Sequence, residues 1–145
     1  MDAGFRRSDF LWADLVVGGL LQGSAELSEA FGASKARVYN VADPAEDEGP
    51  SVAYALAGVD PANVKSERGP LTLNYVVTVL TRDVEQKSAL SAAVYDTLHG
   101  YSGTMEGYGW PPTPPGLPPG SFADASDVMT LDGYYRRDMT FLIKV

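Results

Sequence analysis

The sequence predicts an α+β fold: an antiparallel sheet of about four or five strands with two main helices packed on one face. The first observation behind this is the order of the hydrophobic periods, which change from helical spacing to strand alternation and back. They give helix, strand, strand, strand, helix, strand, strand, and runs of adjacent strands favour an antiparallel sheet covered by helices. The second is the segment from Leu71 to Thr81, which is apolar on both faces, as in a central strand. A chain of 145 residues that is 45% hydrophobic is expected to be a single domain, 1–145.

The first third of the chain is predicted to be helical. From Asp9 onward, apolar residues recur at three- and four-residue steps and form one expected buried stripe, made of Leu11, Trp12, Leu15, Val16, Gly19 and Leu20. The pair Gly18 and Gly19 either weakens the last turn or marks close packing against another element. Ser24 is expected to start a short second helix that runs through Ala30 and stops at Gly32.

Two strands and two loops are predicted next. A short strand is expected over 36–41, followed by an acidic turn over 43–50. Alternation of Val52, Tyr54 and Leu56 with small residues predicts a second strand, and 58–70 is expected to be a hairpin loop.

The second main helix is expected to begin at Asp83, which forms a capping box with Gln86. Its expected buried stripe is Leu90, Val94, Thr97 and Leu98, its expected water-facing residues are Ser88, Ser91 and Asp96, and its expected stop is Gly100. A proline-rich insert then covers about 101–125. Segments 127–131 and 134–145 complete the sheet as a hairpin about the two-residue turn Asp132-Gly133.

Composition excludes several function classes. Cysteine is absent, which rules out disulfides and thiolate metal sites, and the net charge of −8 disfavours nucleic-acid binding. The N-terminus lacks a signal peptide and no apolar run reaches the ~18 residues of a membrane span, so we expect a cytosolic product without a membrane partner. We expect no cofactor and no enzymatic activity, because no nucleophile elbow, phosphate loop or zinc helix is present.

Two features of the sequence are weak candidates for chemistry. His99 is either a general base or, in the favoured interpretation, a cation at the negative end of the second helix. The acidic cluster of Asp43, Glu46, Asp47 and Glu48 is either a cation site or, as favoured, a solvated loop, since it does not match a calcium loop.

Contacts between proteins are the better hypothesis. Proline-rich segments are pre-ordered and tryptophan is a frequent hot-spot residue, so the expected docking segment contains Trp110, Pro111, Pro112, Pro114, Pro115 and Leu117. A second patch is placed on the 58–70 loop with Glu67 and Arg68. Arg136 and Arg137 are adjacent on a strand, so they must point to opposite faces. One interpretation is that they form a salt bridge between subunits or line a ring. The other is that both lie near the hairpin end, where the sheet frays into solvent.

The layout of motifs resembles a known family. The helical segment LLQGSAELSEAFG is followed by the strands KARVYNV and SVAYAL, then LTLNYVVTVLTRD runs directly into VEQKSALSAAVYDTLHGYSG, and GYYRRDMTFLIKV ends the chain. This order is similar to that of the tail-completion or tail-terminator proteins of long-tailed (siphovirus-type) bacteriophages and gene-transfer particles. Only the insert near 109–120 departs from it.

The resemblance implies a role in a virion. It implies a homo-oligomeric ring, usually a hexamer, that caps the tail tube and joins tail to head at the tail–neck junction, after assembly in the bacterial host cytoplasm. Its implied partners are the tail tube protein and a head–tail connector or stopper protein, and genomic DNA passes through the lumen without specific binding. Two alternatives stay open: a neck or adaptor protein of the same particle, and a ligand- or peptide-binding α+β domain with Tyr54, Tyr75, Tyr101 and Tyr108 lining a pocket.

Overall fold

A computed structural model describes residues 14, 17–32, 37–41, 44, 49–61, 71–99 and 121–144, and the structural statements below concern these residues. The chain is helical at 14 and 17–22, which we label α1. The other elements, in chain order, are α2 (Ala25–Phe31), β1 (Val38–Tyr39), β2 (Ser51–Pro61), β3 (Leu71–Thr81), α3 (Val84–Leu98), β4 (Ser121–Met129) and β5 (Tyr135–Lys144).

The strands form one five-stranded sheet in the order β1-β2-β3-β5-β4. The predicted α+β class is therefore confirmed, and β3, the strand expected to be central, lies in the middle. The pairs β2–β3, β3–β5 and β4–β5 are antiparallel, but β1 pairs with β2 in parallel, in contrast to the expected all-antiparallel sheet. The sequence between β1 and β2 runs from 40 to 50, close to the dozen residues that a parallel crossover needs.

All three described helices pack on one face of the sheet. On β3 this face carries Leu73, Tyr75, Val77 and Val79, all fully buried. They join one core cluster with Val17 and Leu21 of α1, Leu27 and Phe31 of α2, and Leu90, Val94 and Leu98 of α3. The alternation of β3 thus fixes which side of the sheet the helices cover.

The buried stripe of α1 differs from the predicted one. Val17 and Leu21 are buried, whereas Gly19 and Leu20 are only half-buried. The reason is close packing, the second of the two expectations for the glycine pair: Gly18 lies against the hydroxyl end of Tyr54, where a β-carbon would collide with the ring. The remaining predicted stripe residues, 11, 12, 15 and 16, lie outside the described residues.

Local capping explains α2. The Ser24 hydroxyl accepts a hydrogen bond from the Leu27 amide at 3.1 Å, and Gly32 takes φ +63° after the last turn. The helix matches the prediction apart from ending at Phe31 instead of Ala30.

The capping box predicted for α3 is wrong in one partner. Asp83 is the N-cap and accepts from the Glu85 amide at 2.9 Å. Gln86 instead accepts from the Thr81 hydroxyl at 2.8 Å and donates to the Phe31 carbonyl at 3.2 Å, so it ties α3 to β3 and α2. Thr81 in turn accepts from the Asp83 amide at 3.3 Å.

Two further expectations for α3 have mixed outcomes. Ser91 was expected to face water but is buried, because its hydroxyl donates to the Lys87 carbonyl at 2.6 Å and needs no water. Helix α3 ends at the C-cap residue His99, and the predicted stop Gly100 lies outside the described residues.

Several strand boundaries also differ. β1 covers two residues of the predicted 36–41. β2 continues to Pro61, so 58–61 are strand instead of loop; an irregularity between Leu56 and Gly58 lets the strand continue past the expected stop. β4 begins at Ser121, inside the predicted insert, because its pairing with β5 extends to Leu142.

The terminal hairpin has a three-residue loop, 131–133, instead of the predicted two-residue turn. The Thr130 amide donates to the Tyr134 carbonyl at 2.8 Å, and the Gly133 amide donates to the Thr130 carbonyl at 3.1 Å. Gly133 has φ +86°, the left-handed conformation that such a loop requires at its last position.

Candidate interaction surfaces

His99 is a structural residue that joins α3 to β4. Its Nδ1 accepts a hydrogen bond from the Phe122 amide at 3.0 Å, and its ring stacks on Tyr95 with centroids 4.6 Å apart. Neither interpretation of His99 from the sequence included this contact between the end of α3 and the start of β4. Phe122 continues the contact to Phe141 in the core, edge to face at 5.7 Å.

In the described part of the chain, no group of three or more histidine, aspartate or glutamate side chains is placed to hold an ion. The acidic residues Asp43, Glu46, Asp47 and Glu48 lie outside this part.

Arg137 belongs to a charged cluster on the helix-covered face. Its Nε and Nη2 donate to the two carboxylate oxygens of Asp127 at 2.7 and 2.9 Å. Lys87 of α3 approaches the same carboxylate at 3.3 Å. Hydrogen bonds from Arg137 and then Lys87 lower the pKa of Asp127 from 3.8 to about 2, and the pKa of Arg137 is raised by the same hydrogen bond.

Arg136 lies on the opposite face, as strand alternation predicted. Its Nε donates to the Asp138 carboxylate at 3.2 Å, and the Thr78 hydroxyl donates to the same carboxylate at 2.7 Å. Both arginines are therefore neutralised by carboxylates of their own chain, and neither lies at a frayed end. Their part in contacts between subunits stays a prediction.

The other predicted contact residues fall outside the described part of the chain. These are Trp110, Pro111, Pro112, Pro114, Pro115 and Leu117 of the proline-rich segment, and Glu67 and Arg68 of the 58–70 loop.

The tyrosines Tyr54 and Tyr75, offered as pocket walls for a ligand, are core residues. The Tyr75 hydroxyl donates to the Asp14 carboxylate at 2.7 Å and its side chain is fully buried. Burial, and then the hydrogen bond to Asp14, raise the pKa of Tyr75, and burial followed by the nearby Asp14 charge raises that of Tyr54. Tyr101 and Tyr108 lie outside the described residues.

Exposed apolar side chains at the two sheet edges were not identified from the sequence. At one edge they are Val128 and Met129 at the end of β4 and Leu131 in the following loop, and at the other edge they are Tyr39 of β1 and the nearby Val41. The sequence signal for the exposed residues near β4 is the segment Val-Met-Thr-Leu, 128–131, just before the turn. The sequence places this segment in a strand of the hairpin and does not predict that its apolar side chains are exposed. We call residues 128–131 the hairpin tip.

A cavity lies beside β1, between β1 and the helices α1 and α2. Its volume is about 230 Å³, and its lining is Leu21, Gln22, Leu27, Ser28, Phe31 and Val38. Leu21, Leu27 and Phe31 form the buried wall, while Gln22 and Ser28 are exposed at the rim. We call it the β1 pocket; none of these lining residues is charged.

These features define a class: a small α+β domain with one sheet, helices on one face and apolar side chains exposed at both sheet edges. Among its described helices, none is long and apolar enough to cross a membrane. The chain is similar to a chain in a solved structure titled "Virion of native gene transfer agent (GTA) particle", with a TM-score of 0.66 and 22% sequence identity. The alignment covers 98% of this chain and 98% of the other chain. No protein-family model matches the chain, and no curated protein matches it.

Proposed function

We propose that this chain is a structural protein of a phage-like particle, and specifically its tail terminator. The observation that carries the proposal is the full-length structural likeness to a chain of a gene transfer agent virion, at 98% coverage of both chains.

The finer assignment rests on the order of motifs. A helix, two strands, a long strand running directly into a helix and a closing hairpin follow one another as in tail terminators. Under this proposal the chain forms a ring, usually of six copies, that caps the tail tube and joins it to the head through a connector or stopper protein. The charge of −8 supports passage of DNA, because an acidic lumen repels phosphate instead of gripping it.

A ring requires two different surfaces on each copy, because cyclic contacts are heterologous. The proposed ones are the proline-rich segment around Trp110 and the loop around Glu67 and Arg68. We test the first by replacing residues 109–120 with a glycine–serine segment of equal length, which keeps the chain connectivity while removing the proline geometry. Loss of ring formation or of attachment to tails supports docking by this segment, and unchanged rings and tails overturn it.

The role itself is tested in particles. Negative-stain microscopy compares particles from a host that expresses the surrounding genes with and without this one, and a plasmid copy of the gene provides the rescue control. Tails of uncontrolled length support the terminator. Tails of normal length that fail to join heads favour the neck or adaptor alternative, and normal joined particles refute a virion role and favour the ligand-binding alternative.

A further inference from the structure

The hairpin tip and the β1 pocket lie at opposite edges of the sheet. One continuous row of paired residues crosses all five strands, from Val38 through Val52, Val79 and Arg137 to Asp127. Val38 lines the β1 pocket, and Asp127 immediately precedes the hairpin tip. Because residues in one row share a face, Val38 and Asp127 both lie on the helix-covered side, and the tip extends past this row with Val128 on the other side and the loop residue Leu131 beyond the strand.

A tip cannot reach the pocket of its own molecule. Four strand spacings of about 4.8 Å separate the two edges by roughly 19 Å. When a second copy is placed beside the first with its sheet at the same level, the tip of one faces the pocket of the other. This is the geometry of a head-to-tail contact.

The size of the pocket suits a side chain of the tip. Leu131 is fully exposed, and Val128 and Met129 are more than half exposed, at 57% and 58%. Large apolar side chains in water are disfavoured, and the pocket has a floor of Leu21, Leu27 and Phe31 beneath a polar rim of Gln22 and Ser28. Its volume of about 230 Å³ accommodates a leucine side chain, since an apolar cavity of about 150 Å³ already holds benzene.

Charge favours a copy of this chain as the occupant. The segment 121–133 that ends in the tip carries Asp124 and Asp132, besides Asp127, which is paired with Arg137 and Lys87. At the pocket, Arg37 directly precedes the lining residue Val38 and is a cation in a chain whose net charge is −8. A tip-to-tip contact would bring the aspartates together, whereas a tip-to-pocket contact brings opposite charges together.

We infer that the hairpin tip of one copy docks in the β1 pocket of the next, with Leu131 as the inserted side chain. This inference rests on the proposed ring and names its subunit contact. The tip alone is small beside the ~800 Å² per partner of a stable interface. The contact is therefore weak between two free chains and is reinforced when the ring closes or forms on a tube.

The absence of native cysteine allows a direct test. The double variant Leu131→Cys/Ser28→Cys places one thiol on the tip and one on the pocket rim. Mild oxidation of the purified chain at high concentration, followed by a non-reducing gel, is expected to give a ladder of dimers, trimers and longer products. The matched control, Leu131→Cys/Ser88→Cys, moves the second thiol to an exposed position on α3 and reports random collision.

A ladder well above the control supports the contact. Equal yields for Ser28→Cys and Ser88→Cys pairs overturn it. So does efficient dimer formation by Leu131→Cys alone, because that shows tips meeting tips.

A second variant keeps the test independent of disulfide geometry. Leu131→Ser removes the inserted side chain without touching the core, so the melting temperature is unchanged. Self-association, measured by sedimentation over a range of concentrations, is expected to weaken about 10- to 100-fold. The control Val84→Ser removes an exposed aliphatic side chain at the start of α3 and leaves association unchanged. Equal association of both variants and the parent refutes docking by Leu131.

The same thiol pair in particles separates the two proposals. If deletion of the gene gives uncontrolled tails but the pair does not cross-link in assembled particles, the contact is wrong and the terminator role stands. If the purified chain gives the ladder but particles lacking the gene are normal, the contact stands and the proposed function is wrong.

Discussion

The bond between Tyr75 and Asp14 is expected to hold α1 on the sheet. Tyr75 lies on the central strand and is fully buried, and its hydroxyl donates to the Asp14 carboxylate at 2.7 Å. Tyr75→Phe keeps the ring in the core but removes the donor. A hydrogen bond to a charged group contributes about 1.5–3 kcal/mol, so the free energy of unfolding should fall by that amount.

The expected shift in melting temperature follows from the size of the chain. With about 2.1 cal/mol/K per residue, a chain of 145 residues has an unfolding entropy of about 0.3 kcal/mol/K. A loss of 1.5–3 kcal/mol then lowers the melting temperature by about 5–10 °C, which calorimetry resolves. Hydrogen exchange should also accelerate in α1 before it does in β3, because the lost contact belongs to the helix.

The control for this prediction is Tyr95→Phe. Tyr95 is 38% exposed, so water replaces any hydrogen bond of its hydroxyl and the change should cost less than about 0.5 kcal/mol. A double-mutant cycle with Asp14→Ala isolates the coupling. A Tyr75→Phe variant as stable as the Tyr95→Phe control, or a coupling near zero, would show that the hydrogen bond does not stabilise α1.

Three further substitutions test separate contacts. Gly18→Ala improves helix propensity by about 1 kcal/mol, but its β-carbon would lie 2.8 Å from Cζ of Tyr54. We therefore expect thermal unfolding to show a net loss of about 1 kcal/mol in stability. A more stable variant would contradict the close packing of Gly18 on Tyr54. Asp127→Asn should cost at most about 1 kcal/mol, since the side chain is 44% exposed. The folded-state pKa of Asp127 is lowered from 3.8 to about 2, so its contribution to stability is present above pH 4 and is lost as the pH falls toward 2. The free energies of unfolding of parent and variant, measured with denaturant, should therefore converge near pH 2. A difference that does not change with pH would refute the ion pair. Thr81→Val removes the hydroxyl that donates to Gln86, so we expect the free energy of unfolding to fall by about 1–2 kcal/mol. Hydrogen exchange should become faster at the start of α3. An unchanged exchange rate would contradict this prediction.

Elements with a strong local signal could be predicted from the sequence. β3 was predicted with the bounds that the structure has, because a strand apolar on both faces belongs in the middle of a sheet. α2 was predicted within one residue, because Ser24 and Gly32 cap it through their own hydrogen bonding and backbone conformation.

Elements fixed by distant contacts could not be predicted in the same way. The face that α1 presents to the sheet depends on the close packing of Gly18 on Tyr54. The spacing of apolar residues along a helix carries no information about a contact with a distant residue. The start of β4 has no apolar alternation, and its place is set by pairing with β5 and by the bond between His99 and the Phe122 amide. The parallel pairing of β1 likewise has no signal in its two residues.

The candidate surfaces show the same division. Strand alternation sufficed to place Arg136 and Arg137 on opposite faces. Their partners Asp138 and Asp127 could not be named, because the partner of Arg137 depends on the register between β4 and β5. The β1 pocket was out of reach of sequence analysis, since its walls come from three elements that meet only in the folded chain.

The structure of β4 disfavours pairing along this exposed edge of the sheet. An open edge strand can pair with any other strand, and proteins commonly block it with charges and bulges. β4 has both: an irregularity between Phe122 and Asp124, and the exposed carboxylate of Asp124. Pairing of two β4 edges with their Asp124 carboxylates opposite each other is therefore disfavoured.

The hairpin tip escapes this block, because it extends past the end of β4 and its exposed side chains Val128, Met129 and Leu131 are apolar. Contact through the tip is therefore selective for a partner that offers an apolar pocket. Contact along the β4 edge is disfavoured for any acidic partner, including another copy of this chain. Under the proposed function, the chain is expected to remain monomeric at low concentration and to associate head to tail when a tube end raises its local concentration. The substitution Asp124→Lys removes the negative charge that disfavours pairing along β4 and leaves the tip unchanged. It should promote association along β4, and adding Leu131→Ser should not abolish this association. If Leu131→Ser does abolish it, association along β4 and association through the tip are not separate.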